Sequence, residues 1–335
     1  MKTTHALTCF MVLNLVAVTS ASAQTFTIRD LGTLGGPFAE ALGSNAAGQV
    51  VGLAEGATGQ YHAFLYHGGV LQDLGMPGVT LSSGVAINRS GQVAGYYYSA
   101  GYKAFLWTSG QATDLGNLGG NYAASYALNS AGQVVGSAFT VANDEHAFLF
   151  DGSHMIDLGT LGGTYSAARG INDSAQVTGY AYDATGNFRA FLWSQGHMTG
   201  LGTLGGDWSE GSAINNAGQI VGQAYLARNT KAHAFLYSGQ RMTDLGALGG
   251  SESFATALNS AGTQIVGYAS VPNNTGYVVY HAFLYSAGKL KDLNTLIPAR
   301  SGWVLDQANA IDDTGRIVGS GTFGGQEHAF VLTPQ

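Results

Sequence analysis

The chain has 335 residues, a formal net charge of −7 and only 10% charged residues. Nucleic-acid binding requires a basic face, which a weakly acidic chain with few charged residues is not expected to form. We therefore expect no nucleic-acid partner. Glycine is frequent, with 51 residues, which is typical of dense turns. No linker, charge run or proline-rich stretch divides the chain, so residues 24–335 are predicted to form one domain.

Residues 1–23 are typical of a secretory signal peptide. Lys2 gives a positive start, residues 10–18 an apolar run, and an A-x-A cleavage motif ends the segment. The run is too short to span a membrane convincingly. We therefore expect a secreted, extracellular or periplasmic chain from Gln24 onward, without a membrane span. The only cysteine, Cys9, leaves with this leader, so no disulfide is expected.

An Ala-Phe dipeptide recurs along the rest of the chain. Its phenylalanines are Phe64, Phe105, Phe148, Phe191, Phe235, Phe283 and Phe330. The successive spacings are 41, 43, 43, 44, 48 and 47 residues. Seven copies at that period indicate one supersecondary unit used seven times.

Each unit contains four short apolar pieces, as residues 211–246 illustrate. A small-residue piece (GSAINN) is followed by QIVG, then by HAFLY and finally by MTDLG. Valine, isoleucine, phenylalanine and tyrosine enrichment between Gly, Asn and Ser predicts strands. No stretch has a sustained helical period with caps, so the fold class is predicted to be all-β.

An Asn-x-x-Gly turn joins the first two pieces. Short Asn or Asp side chains can bond the backbone two residues on, and glycine supplies the positive φ. Ala175 stands where glycine is expected, and Thr263 is an insertion. The seven turn-opening residues are Asn45, Asn88, Asn129, Asn172, Asn215, Asn259 and Asp312.

The chain ends complete one another. Residues 27–32 read as a fourth piece without its first three, and 328–332 as a third piece without its fourth. This predicts a seven-bladed β-propeller closed by the N-terminal strand, with small-residue strands innermost. A β-solenoid is the alternative, although an open array needs caps. A glycine ending each second strand is expected to admit a neighbouring blade: Gly52, Gly95, Gly136, Gly179, Gly222, Gly267 and Gly319.

The HAFLY, DLGTLGG and AINNAGQIVG motifs, recurring in fixed order over residues 26–332, resemble the HAF family of bacterial extracellular repeat proteins. The resemblance implies secretion and seven HAF-type repeats within 24–335. It implies no particular chemistry. Lys103 and Arg189 replace the histidine of the motif, and Gly200 replaces its aspartate.

A basic residue precedes each Ala-Phe, and Asp recurs on most fourth strands. Zinc needs three or four ligands converging on one point, whereas equivalent residues of different units radiate apart. We therefore predict a pair within each unit, for example His146 with Asp157, and no metal. The unit with Arg189 and Gly200 is expected to lack the pair.

Catalytic motifs are absent: no HExxH, G-x-S-x-G, P-loop or Cys–His pair occurs. We assign no catalytic residue and no cofactor. Carboxylates on the inner strands could still meet at a propeller axis and act on glycans. The inner-strand residues in question are Glu40, Arg169, Glu210, Asp306 and Asp312.

Aromatic residues give the binding hypothesis. In a propeller, the loops between second and third strands and those leading into the first strands emerge on one face. Rings among Asn, Gly and Thr suit a sugar or peptide. The expected ligand-binding residues are Tyr61, Tyr98, Tyr102, Tyr182, Trp208, Tyr225 and Tyr277. An alternative is that a column with Phe38, Tyr122, Tyr165 and Trp208 simply packs between blades.

Three functions remain open at this point. The first is a secreted, monomeric binding module for a polysaccharide, a cell-surface component or a protein. The second is a secreted glycan hydrolase or lyase, which requires acids to converge. The third is a structural extracellular matrix component. Repetition without an acid-rich, divergent unit favours the first.

Overall fold

A computed structural model of the protein describes residues 24–76, 78–273 and 277–335. The signal-peptide prediction for residues 1–23 lies outside the described residues. The described part contains 28 strands, β1–β28 in chain order, and two single-turn 3-10 helices at Ala227–Asn229 and Leu293–Thr295. The all-β prediction is confirmed.

The strands fall into four positions. The inner strands are β2 (Gly35–Ser44), β6 (Ser82–Ile87), β10 (Gly119–Leu128), β14 (Gly162–Ile171), β18 (Gly205–Ile214), β22 (Ser253–Leu258) and β26 (Trp303–Ile311). The second strands are β3 (Val50–Gly56), β7 (Val93–Tyr98), β11 (Val134–Thr140), β15 (Val177–Asp183), β19 (Ile220–Leu226), β23 (Gln264–Val271) and β27 (Ile317–Phe323). The third strands are β4 (Tyr61–His67), β8 (Tyr102–Thr108), β12 (Glu145–Phe150), β16 (Phe188–Ser194), β20 (Ala232–Ser238), β24 (Val279–Ser286) and β28 (Gln326–Pro334). The outer strands are β1 (Phe26–Asp30), β5 (Val70–Asp73), β9 (Gln111–Asp114), β13 (Met155–Asp157), β17 (His197–Gly200), β21 (Arg241–Asp244) and β25 (Lys289–Asp292).

Five separate antiparallel sheets each contain four consecutive strands: β6–β9, β10–β13, β14–β17, β18–β21 and β22–β25. In each, the chain runs from the inner strand to the outer strand through three hairpins. Successive inner strands touch, and β26 in turn touches β2, so the sheets surround one axis. This arrangement is a β-propeller.

The prediction of seven separate blades closed by the N-terminal strand is wrong. The remaining strands form a single mixed sheet of eight strands, in the order β26-β27-β28-β2-β3-β4-β5, with β1 also paired to β28. The physical reason is one parallel pair between Phe38 of β2 and Glu327 of β28, which joins strands that the repeat pattern assigns to different units. Strand β1 lies antiparallel to β28, with Phe26 opposite Pro334 and Asp30 opposite Phe330.

The apolar core lies between adjacent sheets rather than within one layer. Phe148 of β12, for example, is fully buried and packs with Ala94 and Ala104 of the preceding sheet. Burying one such side chain contributes about 1.5–3 kcal/mol. The phenylalanine of the Ala-Phe repeat is therefore a core residue in all seven copies, with 0% exposure each time.

The glycines of the second strands were predicted to admit a neighbouring blade, but they instead make room for the inner strand of their own sheet. A Cβ on Gly136 would collide with the carbonyl oxygen of Ala124, which lies on the inner strand of the same sheet. The ladder shifts register between Ser125 and Ala127, and this β-bulge brings the inner-strand carbonyl close. The approach of a neighbouring sheet instead occurs at inner-strand glycines: a Cβ on Gly43 would lie 2.9 Å from the carbonyl oxygen of Val85.

Candidate ligand-binding site

One edge of the sheets is held by the Asn-x-x-Gly turns. Asn45 accepts the amide of Ala47 at 3.1 Å through Oδ1, and Gly48 has a φ of 80°, as the sequence predicts. Ala175 takes a φ of 55° in place of glycine. Sequence reasoning missed a second role: the Asn45 Nδ2 donates to the carbonyl of Asn88 in the next sheet at 2.9 Å.

This inter-sheet bond is repeated around the axis. Nδ2 donates to the next sheet's backbone carbonyl from Asn45, Asn88, Asn129, Asn172 and Asn215. At the last turn Asp312 has no such donor, and Arg316 donates instead to the carbonyl of Ala46 at 2.9 Å. Asn259 donates within its own turn to Thr263 Oγ1, and there the Ser260 amide donates to Asp313 Oδ1 at 2.9 Å, so hydrogen bonds between neighbouring turns run around the whole edge.

The basic and acidic residues of the repeat pair within their hairpins, as predicted. His146 Nδ1 lies 2.8 Å from Asp157 Oδ2, and Lys103 Nζ lies 3.0 Å from Asp114 Oδ2. Equivalent contacts join His62–Asp73, His233–Asp244, His281–Asp292 and His328–Asp30. The aspartate also accepts the amide two residues later, so it fixes both hairpin and turn.

The exception is the unit with Gly200, as the sequence predicts. Arg189 has no outer-strand aspartate there, and its Nε lies 3.2 Å from Asp183 Oδ2 on the second strand. These contacts account for the conspicuous charged residues of the repeat as structural pairs. Within the residues that the structure describes, no three His, Cys, Asp or Glu side chains group as a metal site.

Most of the predicted ligand-binding aromatics pack against a neighbour in their own sheet. Trp208 lies 5.4 Å from Tyr225, centroid to centroid, and Tyr182 stacks on Phe188 at 4.1 Å. Tyr61 meets Phe38 edge-on at 5.5 Å. Tyr277 is 81% exposed. Phe38 and Trp208 of the aromatic column therefore make their ring contacts within their own sheets, whereas Tyr122 contacts Tyr102 of the preceding sheet.

Tyr98 and Tyr102 differ, because Tyr102 lines an open cleft between two sheets and Tyr98 packs against Tyr102. They are 46% and 37% exposed, and their rings meet edge-on at 5.4 Å. Tyr102 also meets Tyr122 of the next inner strand at 5.8 Å. The cleft has a volume of about 350 Å³, and its lining includes Tyr102, Tyr122, Lys103, Asp114, Asn117 and Asn121. We call it the Tyr102 cleft.

A second cavity of about 460 Å³ lies on the axis, lined by all seven inner strands. We call it the axial channel. Its only charged lining residues within the described chain are Arg169 and Glu210. Arg169 Nε lies 3.8 Å from Glu210 Oε1, which is too long for a hydrogen bond. The guanidinium carbon sits 4.2 Å above the Tyr126 ring, a cation–π distance.

The surroundings determine the charge states of this pair. Burial is the main cause that raises the pKa of the Glu210 carboxyl, while Arg169 and a bond from Gln223 oppose it. Burial alone would lower the pKa of Arg169, but the nearby Tyr180, Tyr126 and Glu210 outweigh it and the pKa is raised. Arg169 therefore stays charged, and its Nη2 donates to Tyr180 Oη at 3.0 Å.

Glu40 occupies the position on β2 that Glu210 occupies on β18. Burial raises the pKa of Glu40, although Asn309 Nδ2 donates to its Oε1 at 3.1 Å. Burial also raises the pKa of Tyr268, and the charges of Glu210, Glu252 and Glu40 raise it further. Of the carboxyls named here only Glu210 lines the axial channel, where it lies with Arg169 and Tyr126, a mixture of polar groups that suits a polar ligand. Glu40, Asp306 and Asp312, the other candidate acids, do not line the channel; Asp312 pairs with Arg316.

Comparison with known proteins places the fold. No family model matches the chain, and no curated protein matches it. The β-propeller domain of the Trilobed protease from Pyrococcus furiosus is similar, with a TM-score of 0.55, 10% identity and coverage of 93% of this chain and 97% of that one. An oligogalacturonate lyase from Vibrio parahaemolyticus is similar with a TM-score of 0.57 and 10% identity, and the match covers 91% of this chain and 93% of that one. The Pyrococcus horikoshii acylaminoacyl peptidase is similar with a TM-score of 0.57 and 9% identity, and the match covers 91% of this chain but only 53% of that one. These likenesses show the propeller fold.

No helix in the described part of the chain has the length and apolar character needed to cross a membrane.

Proposed function

We propose that this protein is a secreted binding module of the HAF type that recognises a glycan through the loop edge of its sheets, at the Tyr102 cleft. The observation that supports the proposal is the combination of exposed rings and polar side chains there. Tyr102 and Tyr122 offer apolar ring faces in the cleft, and Lys103, Asp114 and Asn121 line it beside them. Sugars present both apolar C–H faces and hydroxyl groups, so this mixture suits them.

The cleft is not a general property of the repeat. Lys103 stands where five other units have histidine, and its side chain is 42% exposed. The loop before it takes positive φ at Ala100 and Gly101, which holds Tyr98 and Tyr102 against each other. A residue set that departs from its own repeat at an exposed cleft favours recognition over packing.

The test is a glycan array probed with the purified protein, followed by calorimetric titration of each glycan that binds. Tyr102→Ala should weaken binding about tenfold or more, which corresponds to about 1.4 kcal/mol. Tyr102→Phe keeps the ring and should retain most of the affinity. Lys103→Ala should weaken binding, whereas Lys289→Ala, which removes another exposed lysine, should not.

Two results would contradict the proposal. One is an array without any bound glycan. The other is a bound glycan whose affinity does not change in Tyr102→Ala.

A glycan hydrolase or lyase is the second candidate. It is favoured by Glu210, which lines the axial channel beside Tyr126 and whose pKa is raised mainly by burial. A carboxyl with a raised pKa keeps its proton to a higher pH, which suits it to a general-acid role. Incubation of a bound glycan with the protein, followed by mass spectrometry, separates the two functions. A hydrolysis product gains water, a lyase product carries a new double bond, and a binding module leaves the glycan intact.

A further inference from the structure

Three cavities follow one another from the Tyr102 cleft to the axis, and each shares at least one lining tyrosine with the next. The cleft and a middle cavity of about 300 Å³ share Tyr102 and Tyr122. The middle cavity is also lined by Tyr96 and Tyr126, and Tyr126 lines the axial channel. We call Tyr102, Tyr122 and Tyr126 the tyrosine row. Its last two hydroxyls are hydrogen-bonded at 3.0 Å.

The row ends at polar atoms whose hydrogen-bonding capacity is not used. Among the described residues, the buried Nε of Arg169 has no hydrogen-bond partner, and neither has the buried Oε1 of Gln223. Gln223 contacts Glu210 through its other atom, Nε2, at 3.2 Å from Oε2. A donor without a hydrogen bond, Arg169 Nε, and an acceptor without one, Gln223 Oε1, therefore lie next to Glu210. Buried polar groups of this kind carry a free-energy cost unless a water or a ligand satisfies them.

The charges at this end favour one chemical class of ligand. A carboxylate would bind Arg169 but meet the charge of Glu210, and an ammonium group would bind Glu210 but meet the charge of Arg169. A hydroxyl both donates and accepts, so it satisfies the Nε donor and a carboxylate oxygen together. A neutral hydroxylated group therefore leaves no excess buried charge at the pair.

We propose that the axial channel is the terminal subsite of the glycan path, and that it holds a neutral sugar unit between Arg169 Nε and Glu210 Oε1 at the inner end of the tyrosine row. The proposal rests on the proposed glycan binding, but it concerns different residues. The channel, at about 460 Å³, falls within the size range of small-ligand sites. A chain that enters at Tyr102 would reach this subsite with one end.

The test uses methyl glycosides of glucose, galactose and mannose, each compared with its uronate and 2-amino counterparts. The probes are titrated into isotope-labelled protein while the Arg169 Nε–Hε resonance is followed, because that group makes no hydrogen bond in the free protein. Loss of the signal in Arg169→Lys assigns it. At least one neutral glycoside should shift the resonance at tens of millimolar. Its charged counterparts should bind about tenfold more weakly.

Glu210→Gln provides the sharpest variant, since it keeps the side-chain shape and removes the negative charge. The uronate should then bind at least as well as the neutral glycoside. Asp207→Asn is the matched control, because it makes the same charge change on an exposed residue of the same strand and should leave the preference unchanged.

Several results would overturn the inference. They are a wild-type preference for the uronate or for the amino sugar, no response of Arg169 to any probe, and a neutral preference that survives unchanged in Glu210→Gln. If glycan binding depends on Tyr102 but the Arg169 Nε–Hε resonance does not shift, the channel subsite is overturned and the proposed glycan binding is not. A response at Arg169 without any effect of Tyr102→Ala would leave the channel site standing and contradict the cleft.

Discussion

Asn129 donates from Nδ2 to the backbone carbonyl of Asn172 in the next sheet at 3.1 Å. The same side chain accepts the amides of Ala131 and Gln133 through Oδ1, and it donates to Gln133 Oε1 at 2.8 Å. With 4% exposure, it is a buried amide whose donors and acceptor are all used. One residue thus forms its own turn and links two sheets.

The Asp312 turn shows a second solution to the same geometry. Arg316, four residues on, pairs with Asp312 at 2.7 Å and supplies the donors that Asp312 lacks. Gln133 stands four residues after Asn129. We predict that Asn129→Asp lowers the free energy of unfolding by about 3 kcal/mol, because a buried carboxylate then faces the Asn172 carbonyl. Adding Gln133→Arg should restore at least half of the loss.

Chemical denaturation of the wild type, both single variants and the double variant forms a double-mutant cycle. The Gln133→Arg single variant should change stability little, because residue 133 is only half-buried. Additive losses in the double variant would show that the Asp–Arg pair does not substitute for the asparagine in this turn.

Gly136 allows a direct test of the β-bulge. An added Cβ would meet the carbonyl of Ala124 and would also lie 2.8 Å from a ring carbon of Phe148. Neither can move without displacing a ladder or the core, so Gly136→Ala should cost at least about 3 kcal/mol or prevent folding. Gly152→Ala is a useful comparison, although its φ of 105° adds strain, because a Cβ at that position would have no atom within 4 Å. Equal thermal stability of Gly136→Ala and wild type would contradict the packing described.

Sequence reasoning predicted the repeat unit and strand order because both depend on local patterns. The Ala-Phe period and the Asn-x-x-Gly turns each act within about 45 residues. The sheet count was wrong because it depends on one long-range pair, Phe38 with Glu327, for which no local pattern exists. The glycine role was wrong for a similar reason: a bulge between Ser125 and Ala127 is set by the paired strand.

The candidate site was only partly predictable. Tyr98 and Tyr102 are predicted from their position in a loop between second and third strands, and the structure places Tyr102 in a cleft with Tyr98 packed against it. Arg169 and Glu210 are named from the sequence as inner-strand candidates, but their pairing is not predictable, since they are 41 residues apart and only the curvature of the sheets brings their side chains within 3.8 Å. The available signal was charge, because Arg169 stands where the other inner strands have the uncharged residues Leu42, Val85, Tyr126, Ser212, Thr256 and Asn309.

The pair of His146 and Asp157 gives a third prediction. Their side chains are 20% and 41% exposed, so solvent screening limits the ionic contribution to about 0.5 kcal/mol. Asp157 also accepts the Gly159 amide at 2.8 Å. Asp157→Asn keeps that bond and should have little effect, whereas Asp157→Ala loses both contacts and should cost about 1–2 kcal/mol. Thermal unfolding measures the difference, and unchanged melting in Asp157→Ala would argue against the pairing. Glycan binding should be unaffected in both variants.

Glu40 gives a prediction for pH. Its folded pKa is raised above the ordinary value of 4.5, with burial as the main cause. A group of this kind contributes stability that is full below its unfolded pKa and is lost as the pH rises through the folded pKa. The protonated carboxyl is the form that the fold tolerates better.

The amide of Glu40→Gln has the same shape, accepts the Asn309 donor through its oxygen and carries no charge at any of these pH values. We therefore expect Glu40→Gln and wild type to melt at similar temperatures near pH 4, and the variant to melt a few degrees higher at pH 8. Asp207→Asn makes the same change in net charge at an exposed site and should show no such divergence. A variant that melts at or below the wild-type temperature at pH 8 would mean that the ionised carboxylate is stabilised by its surroundings, contrary to the burial described.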